Sequence, residues 1–323
     1  MSGLTLVEAV NAALHDAMGA DDRVLLLGED VGPLGGAFRA SDGLHQQFGD
    51  RVVDMPIAEA GTVGVAVGLC LAGYRPIVEL QFDTFAYPAF EQIVAHVARY
   101  RWRTAGHAGM PMVLRVPFGG GVHAPELHSD SPEALFAHMP GLKVVCPSSP
   151  QDAYGLLRWA IESPDPVVVM EPKKLYRSRR GPVDRDGPAR DAETLRTVRA
   201  GDDVTLVTYG SSVATCEAAA EQLADEASIE VLDLRSLYPL DAQAVLESVQ
   251  RTGRCVVVHE APRFAGLGAE VAAIIAAEAL YQLRAPVLRV TGLDVPFPLY
   301  ANEHDYLPSV GRVEDAVREV LEA

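Results

Sequence analysis

Positive charge is scarce in this chain. Its 323 residues carry 27 Lys and Arg against 44 Asp and Glu, a formal net charge of −17. A surface this acidic repels phosphate backbones, which argues against a general nucleic-acid binder or a protein that spreads on an anionic membrane. Cysteine is scarce as well. Cys70, Cys146, Cys216 and Cys255 lie far apart and form no C-x-x-C pair, which excludes a cysteine-rich zinc or iron–sulfur module and fits a reducing cytoplasm. The longest apolar stretch of interest, Ala60 to Tyr74, is interrupted by glycines and falls short of the roughly 20 residues that a membrane helix needs. Apart from His15, no basic residue precedes Arg23, so neither a signal peptide nor a transit peptide is expected. The phosphate-binding patterns are missing too. There is no G-x-x-x-x-G-K-[ST], Gly266-Leu267-Gly268 is an incomplete dinucleotide pattern, and Gly210-Ser211-Ser212 lacks the spacing of a hydrolase elbow.

What the chain does have is apolar residues, 49% of the total, enough for about two domains with substantial cores. Buried strand runs alternate with helical segments, the rhythm of an α/β protein with mostly parallel sheets. Strands are expected at 22–27, 51–55, 75–81, 112–116, 143–146 and 167–171, with helices at 59–71, 87–101 and 152–162. Between Pro172 and Arg190 composition shifts to seven Lys or Arg, three prolines and two glycines. A basic docking patch is one reading, but proline and glycine in that density favour an interdomain linker. A second α/β rhythm follows, with strands at 204–209, 229–233, 255–259 and 287–291 and helices at 212–225, 241–252, 268–283 and 313–321. The domains are set at 1–180 and 201–323, joined by a linker at 181–200.

Open α/β sheets place ligands at strand ends, and two acids stand there. Glu29 follows the first strand at a glycine turn. Glu59 opens a helix containing Gly61, Gly64 and Gly68 and almost no polar residue. A carboxylate at a helix start is ordinarily a cap. One at the mouth of so apolar a segment is expected to lie part-buried, a setting that suits proton exchange with a ring nitrogen. A second concentration of chemistry is the loop from Val116 to Ser131. Its glycines, Gly119, Gly120 and Gly121, permit a mobile or tightly turned loop. His123, Glu126, His128 and Asp130 are too few and too isolated for a convincing metal site, so His128 as a proton donor beside a substrate is the sharper reading against a solvated or structural histidine.

These residues occur within a longer ordered set. Gly28-Glu29-Asp30-Val31-Gly32, Gly35-Gly36-Ala37-Phe38-Arg39, Asp54-Met55-Pro56-Ile57-Ala58-Glu59, Glu79-Leu80-Gln81-Phe82, Tyr87-Pro88-Ala89-Phe90-Glu91-Gln92-Ile93 and His128-Ser129-Asp130-Ser131-Pro132-Glu133 come first. Pro140-Gly141-Leu142-Lys143-Val144-Val145, Glu171-Pro172-Lys173-Lys174-Leu175-Tyr176 and Asp233-Leu234-Arg235-Ser236-Leu237-Tyr238-Pro239-Leu240-Asp241 follow. Over nearly its whole length the chain resembles the beta subunit of the thiamine-diphosphate-dependent decarboxylating component of 2-oxo acid dehydrogenase complexes.

The resemblance implies an N-terminal pyrimidine-binding domain and a C-terminal transketolase-like α/β domain. It also implies a cofactor, thiamine diphosphate with Mg2+, at an interface with an alpha subunit. Glu59 would exchange a proton with the aminopyrimidine ring nitrogen. Glu29, Ile57 and Gln81 align with pyrimidine-pocket positions, and Phe85 stands where the family has an aromatic ring. His128 aligns with the histidine that assists acyl transfer to lipoyl groups. A potassium ion on backbone carbonyls around Met110, Met112, Val113, Ala160, Ser163 and Asp165 is a further implication.

Two departures are informative. The family often reads His-Ser-Gln where this chain has His128-Ser129-Asp130, a form that resembles a branched-chain subgroup. The diphosphate–magnesium motif of thiamine enzymes, Gly-Asp-Gly with a later Asn, is missing. Gly49-Asp50 and Gly201-Asp202 are not followed by Gly, and Asn11 and Asn302 are the only asparagines. The family's alpha subunit carries that motif. The expectation is therefore a catalytic beta subunit in an alpha-two, beta-two heterotetramer with a second beta chain and a dihydrolipoyl acyltransferase core, in the cytoplasm. Its substrate would be a branched-chain 2-oxo acid, with pyruvate second and acetoin third. A non-catalytic paralogue that keeps the fold is the competing class.

Overall fold

In a computed structural model, which describes residues 3–186 and 192–323, the chain packs as two α/β units. One comprises Met1–Phe118 and Leu135–Ala192, the other Gly119–Ala134 and Glu193–Ala323. The segment carrying His128 thus groups with the second unit rather than with residues 1–180 as a block. Within the expected linker, Arg196–Arg199 is a strand and Gly181 pairs with Leu4, while its part at 187–191 lies outside the described residues.

The first unit opens with α1 (Leu6–Ala20), an element absent from the sequence reading although its signal is present. The Thr5 hydroxyl accepts from the Glu8 N–H (3.3 Å), and the Glu8 carboxylate accepts from the Thr5 N–H (2.8 Å). This reciprocal capping box satisfies two of the helix's orphan donors. In chain order there follow β1 (Val24–Gly28), α2 (Leu44–Phe48), β2 (Val52–Asp54), α3 (Glu59–Leu71), β3 (Arg75–Glu79), α4 (Ala86–Gln92), α5 (Tyr100–Arg103), β4 (Val113–Phe118), α6 (Glu133–Ala137), β5 (Lys143–Val145), α7 (Pro150–Glu162) and β6 (Val167–Pro172). The helix expected at 87–101 is broken. The Ala98 N–H bonds the Ile93 carbonyl five residues back (2.9 Å), a wide turn that keeps both Ile93 and Val97 buried.

Six strands of this unit pair in parallel in the order β5-β6-β4-β3-β1-β2. The register sets Gly28 opposite both Asp54 and Glu79. Three adjacent strands therefore end level, and the residues that follow them emerge at one edge. The apolar face of α1 (Leu6, Val10, Leu14, Met18) shares a core with Leu156, Leu157 and Ile161 of α7 and with Leu26 and Ile77 of the sheet.

A charged cluster lies beneath that edge. Arg115, wholly buried in β4, donates to both Glu171 oxygens at 2.8 Å and also to Glu79. The Tyr176 hydroxyl donates to Glu171 at 2.6 Å. Burial works to lower the Arg115 pKa, but Glu171 and then Glu79 more than offset it and hold the guanidinium charged. Burial raises the Glu79 carboxyl, with Arg115 pulling it back. Asp83 and Lys173 form a second buried pair nearby in the chain.

The second unit contains β7 (Arg196–Arg199), β8 (Val204–Thr208), α8 (Ser212–Gln222), β9 (Ile229–Asp233), β10 (Ser236–Tyr238), α9 (Ala242–Thr252), β11 (Cys255–Pro262), α10 (Leu267–Glu278), β12 (Leu288–Gly292), α11 (Glu303–Tyr306) and α12 (Val310–Glu322). Its sheet runs β12-β11-β8-β9-β7, parallel except for the edge strand β7. Val204, Leu206, Val231, Val256 and Val258 form its core with Cys216, Val313 and Val317 from the helices. Among the described residues no helix is long and apolar enough to cross a membrane.

Arg115 gives the first prediction. Arg115→Met keeps the volume but strands two buried carboxyls, so the cost should reach about 3–5 kcal/mol. The thermal midpoint is the measurement, and a midpoint equal to that of the parent protein would refute the assignment.

Candidate functional site

The residues expected to face a pyrimidine ring emerge from the level edge of β3, β1 and β2. Glu29 follows β1 directly, Ile57 and Glu59 follow β2, and Gln81 follows β3. Their loops are fixed by hydrogen bonds to one another. The Met55 N–H bonds the Gly28 carbonyl (2.8 Å), and the Gly32 N–H bonds the Asp54 carboxylate (2.6 Å). A side chain at Gly32 would collide with that carboxylate, which explains the glycine. Gln81 Nε2 donates to the Glu29 carbonyl at 3.1 Å and to the Asp30 carboxylate at 3.3 Å. Gln81 is thereby a tie between strand ends as well as a lining residue.

Glu29 and Glu59 are electrostatic neighbours. Burial raises the Glu29 carboxyl, and the charges of Glu59 and then Asp30 add to that shift. Glu59 is the first residue of α3 and is half-buried. Ile57 stands 86% exposed, an apolar side chain that this chain leaves uncovered. Phe85 is half-buried and packs edge-on against Phe82 (5.5 Å between ring centroids), which in turn meets Phe38 (5.3 Å). A carboxylate pair, an exposed aliphatic side chain, a tethered amide and an aromatic edge fit a flat, nitrogen-bearing ring. Glu29, Ile57, Glu59 and Gln81 are thus brought to one edge of one unit.

His128 lies in the second unit. Its Nδ1 donates to the Glu126 carbonyl oxygen at 2.8 Å, which fixes the orientation of the ring. The loop's histidines and acids do not gather as ligands. His123 turns to Glu303, with Nδ1 at 3.0 Å, and among the described residues no group of three or more His, Cys, Asp or Glu is placed to hold a metal ion.

Several of the carbonyls expected around a potassium ion accept hydrogen bonds within the chain. Met112 accepts from the Val167 N–H (3.0 Å), Ala160 from the Ser163 N–H (3.3 Å) and Asp165 from the Ser163 hydroxyl (2.9 Å). The Arg75 guanidinium donates to the carbonyls of Ile161 (2.8 Å) and Ser163 (3.1 Å). Of the expected ligands, the Ser163 carbonyl thus already faces a cationic group.

The basic stretch after Pro172 lines a groove of about 1120 Å³ along α1 that contains none of the candidate site residues. Part of its charge is neutralised. Arg180 pairs with Glu8 (2.7 Å) and Arg185 with Asp16.

Sequence reasoning assigned no role to a buried cluster around the His128 loop. Glu133 is wholly buried and receives the Tyr209 hydroxyl at 2.6 Å, while Tyr209 stacks on the buried His259. Burial pushes Glu133 up to about 8, and burial lowers His259 to about 4. Both are therefore neutral near pH 7. The signal available was the Glu133 that closes the His128-Ser129-Asp130-Ser131-Pro132-Glu133 run, an acid amid apolar neighbours.

Comparison with known proteins agrees with this layout. Residues 2–179 match the transketolase pyrimidine-binding domain and residues 193–313 the transketolase C-terminal domain. The 3-methyl-2-oxobutanoate dehydrogenase subunit beta of Mycobacterium tuberculosis is 51% identical over 98% of this chain and 92% of its own length. The pyruvate dehydrogenase E1 component subunit beta of Leifsonia xyli is 49% identical over 98% and 94%. A solved structure described as a split-gene transketolase, an inactive beta4 tetramer, superimposes with a TM-score of 0.81 at 25% identity, covering 99% of each chain. The chain belongs to the transketolase-like beta subunits of thiamine-diphosphate-dependent 2-oxo acid dehydrogenases.

Glu133 yields a pH prediction. The folded chain keeps this proton up to about pH 8, whereas the unfolded carboxyl loses it near 4.5. Its stabilising contribution is therefore full below the unfolded value and is lost as pH rises through the folded one. Glu133→Gln should melt above the parent protein by a margin that widens from about pH 6 to about pH 8. An equal margin at both pH values would contradict the buried, protonated carboxyl.

Proposed function

We propose that this chain is the catalytic beta subunit of a 2-oxo acid dehydrogenase decarboxylating component. It acts on a branched-chain 2-oxo acid such as 3-methyl-2-oxobutanoate and acylates the lipoyl group of a dihydrolipoyl acyltransferase core. The observation that carries this reading is the Glu29–Glu59 pair at the level ends of β1 and β2, with Gln81 tying the neighbouring strand to it. Thiamine diphosphate, when bound, supplies the electron sink that decarboxylation requires. The chain's own residues would hold only the pyrimidine end. Glu59 would exchange a proton with the ring nitrogen, Glu29 would keep a second carboxyl beside it, and Ile57 and Phe85 would pack against the ring. In the transfer step the acyl carbon is oxidised and the lipoyl disulfide reduced. One sulfur takes the acyl group, and the other takes a proton that His128 would supply.

The diphosphate and its Mg2+ are assigned to an alpha subunit, because the Gly-Asp-Gly…Asn motif is missing from this sequence. Helix α3 supports such a partner. Val65 and Leu71 are exposed on it, and no atom lies within 4 Å of the place a Cβ would take at Gly68. Packing within the chain does not call for that glycine, whereas the backbone of a partner approaching closely would. The split-gene transketolase described as inactive in its beta4 form also supports a division of the site between chains. We assign the assembly to the cytoplasm, as a heterotetramer with two beta chains. A potassium ion on the backbone carbonyls around Met110, Met112, Val113, Ala160, Ser163 and Asp165 remains part of the proposal. Pyruvate is the second reading, favoured by the Leifsonia relative at nearly equal identity. The His128-Ser129-Asp130 form supports the branched-chain choice.

Two outcomes test the proposal. In the alpha–beta assembly, Glu59→Gln should lower turnover by on the order of 10²-fold or more with folding intact, the scale of a lost acid–base group. Near-normal turnover would remove Glu59 from the mechanism. By calorimetry, the purified chain should show no magnesium-dependent binding of thiamine diphosphate at micromolar concentration and should gain it when alpha is added. Tight binding by the chain alone would refute the divided site.

A further inference from the structure

The glycine loop before His128 is held rather than loose. Four backbone N–H groups of this turn, those of Gly119, Gly120, Gly121 and His123, lie outside helix and sheet, and three of them meet buried carboxylates from distant parts of the same unit. The Gly119 N–H closes the loop on the Asp130 carbonyl at 3.0 Å. Glu260, 6% exposed at the end of β11, accepts from the Gly120 N–H (2.9 Å) and the Ser131 hydroxyl (3.3 Å), and also from the Ser211 hydroxyl. Glu303, wholly buried at the start of α11, accepts from the Gly121 N–H, from the His123 N–H at 3.0 Å, and lies 3.0 Å from His123 Nδ1. The glycines follow from this arrangement. At Gly119, whose φ is +79°, a side chain would run into Glu260, and at Gly120 it would meet Phe297 and Glu303. Within the loop, His123 and Leu127 have φ of +54° and +63°, so it is bent into a shape that relaxed residues avoid.

We propose that Glu260 and Glu303 are positioning residues that hold the Gly119–Ser131 loop in the one conformation that presents His128 for acyl transfer to a lipoyl group. The inference rests on the role given to His128 above. Each carboxylate takes the place of water for several aligned donors, and its charge strengthens every one of those bonds. A glutamine is the same size but offers one acceptor oxygen, and its amide N–H₂ would confront backbone N–H groups. The loop would then relax and His128 would leave its place, while the pyrimidine-facing residues of the other unit keep theirs.

The test uses the alpha–beta assembly with 3-methyl-2-oxobutanoate and two assays, acylation of a lipoylated acyltransferase domain and decarboxylation with a dye as electron acceptor. Glu303→Gln should lower acylation by about tenfold or more, the effect of losing charge-assisted bonds. Dye-coupled turnover should stay within about threefold. Glu260→Gln should show the same split and serves if the first variant does not fold. His128→Ala should impair acylation more than dye-coupled turnover. Added to His128→Ala, Glu303→Gln should cost nothing further, because residues that act through one another are not additive. Equal losses in both assays, or an additional full loss in the His128→Ala background, would overturn the positioning role while leaving the function in place. If His128→Ala leaves acylation intact, the reading of His128 fails and this inference falls with it.

Discussion

A single buried guanidinium governs the geometry of the first unit. Arg115 sits on β4 between β3 and β6 and binds a carboxylate from each. In an apolar interior that arrangement is costly unless every donor is used, and here the donors go to Glu171 and Glu79 while Tyr176 occupies a further lone pair of Glu171. Burial raises the Glu79 carboxyl in that closed space, and the Arg115 guanidinium pulls it back. The consequence reaches the site directly. Glu79 is the last residue of β3 and stands in register with Gly28, so fixing it fixes where Leu80 and Gln81 leave the sheet. Gln81 then reaches the Glu29 carbonyl across the gap.

Buried carboxylates serve the second unit differently. Glu260 and Glu303 solve the problem of unpaired backbone donors in a sharply turned glycine loop, whereas Glu133 sits against the Tyr209 hydroxyl and stays protonated. The three acids are alike in sequence but differ in what faces them. Glu260 and Glu303 face backbone N–H groups of the loop, whereas at Glu133 burial outweighs the hydrogen bonds it receives and raises the carboxyl.

The sequence was legible where its pattern was regular. The buried runs at 229–233 and 167–171 became β9 and β6, the apolar glycine helix at 59–71 became α3 residue for residue, and Glu29 and Glu59 came to one edge as strand-end logic required. Helix α1 was legible in principle, through Thr5 and Glu8, but its box is recognised only when both partners are read together. The break in 87–101 was not legible, because a wide turn keeps the same apolar face that an unbroken helix would. Nor was the grip of Glu260 and Glu303 on the loop. They lie 140 and 182 residues from the glycines they bind, and no local periodicity announces a contact of that range. Arg75 shows the same limit. Its guanidinium meets carbonyls 86 and 88 residues away, and backbone oxygens leave no mark in a sequence.

We propose that this chain holds half of a cofactor site and that Glu59 handles the proton there. The most direct measurement is the rate at which the hydrogen on the reactive thiazolium carbon of thiamine diphosphate exchanges with deuterium. It would be followed by quenched-flow NMR in the alpha–beta assembly without substrate. In the Glu59→Gln assembly, with cofactor fully bound, exchange should slow by on the order of 10²-fold or more, since the proton relay through the pyrimidine is cut. Exchange at the parent rate in that variant would contradict the account.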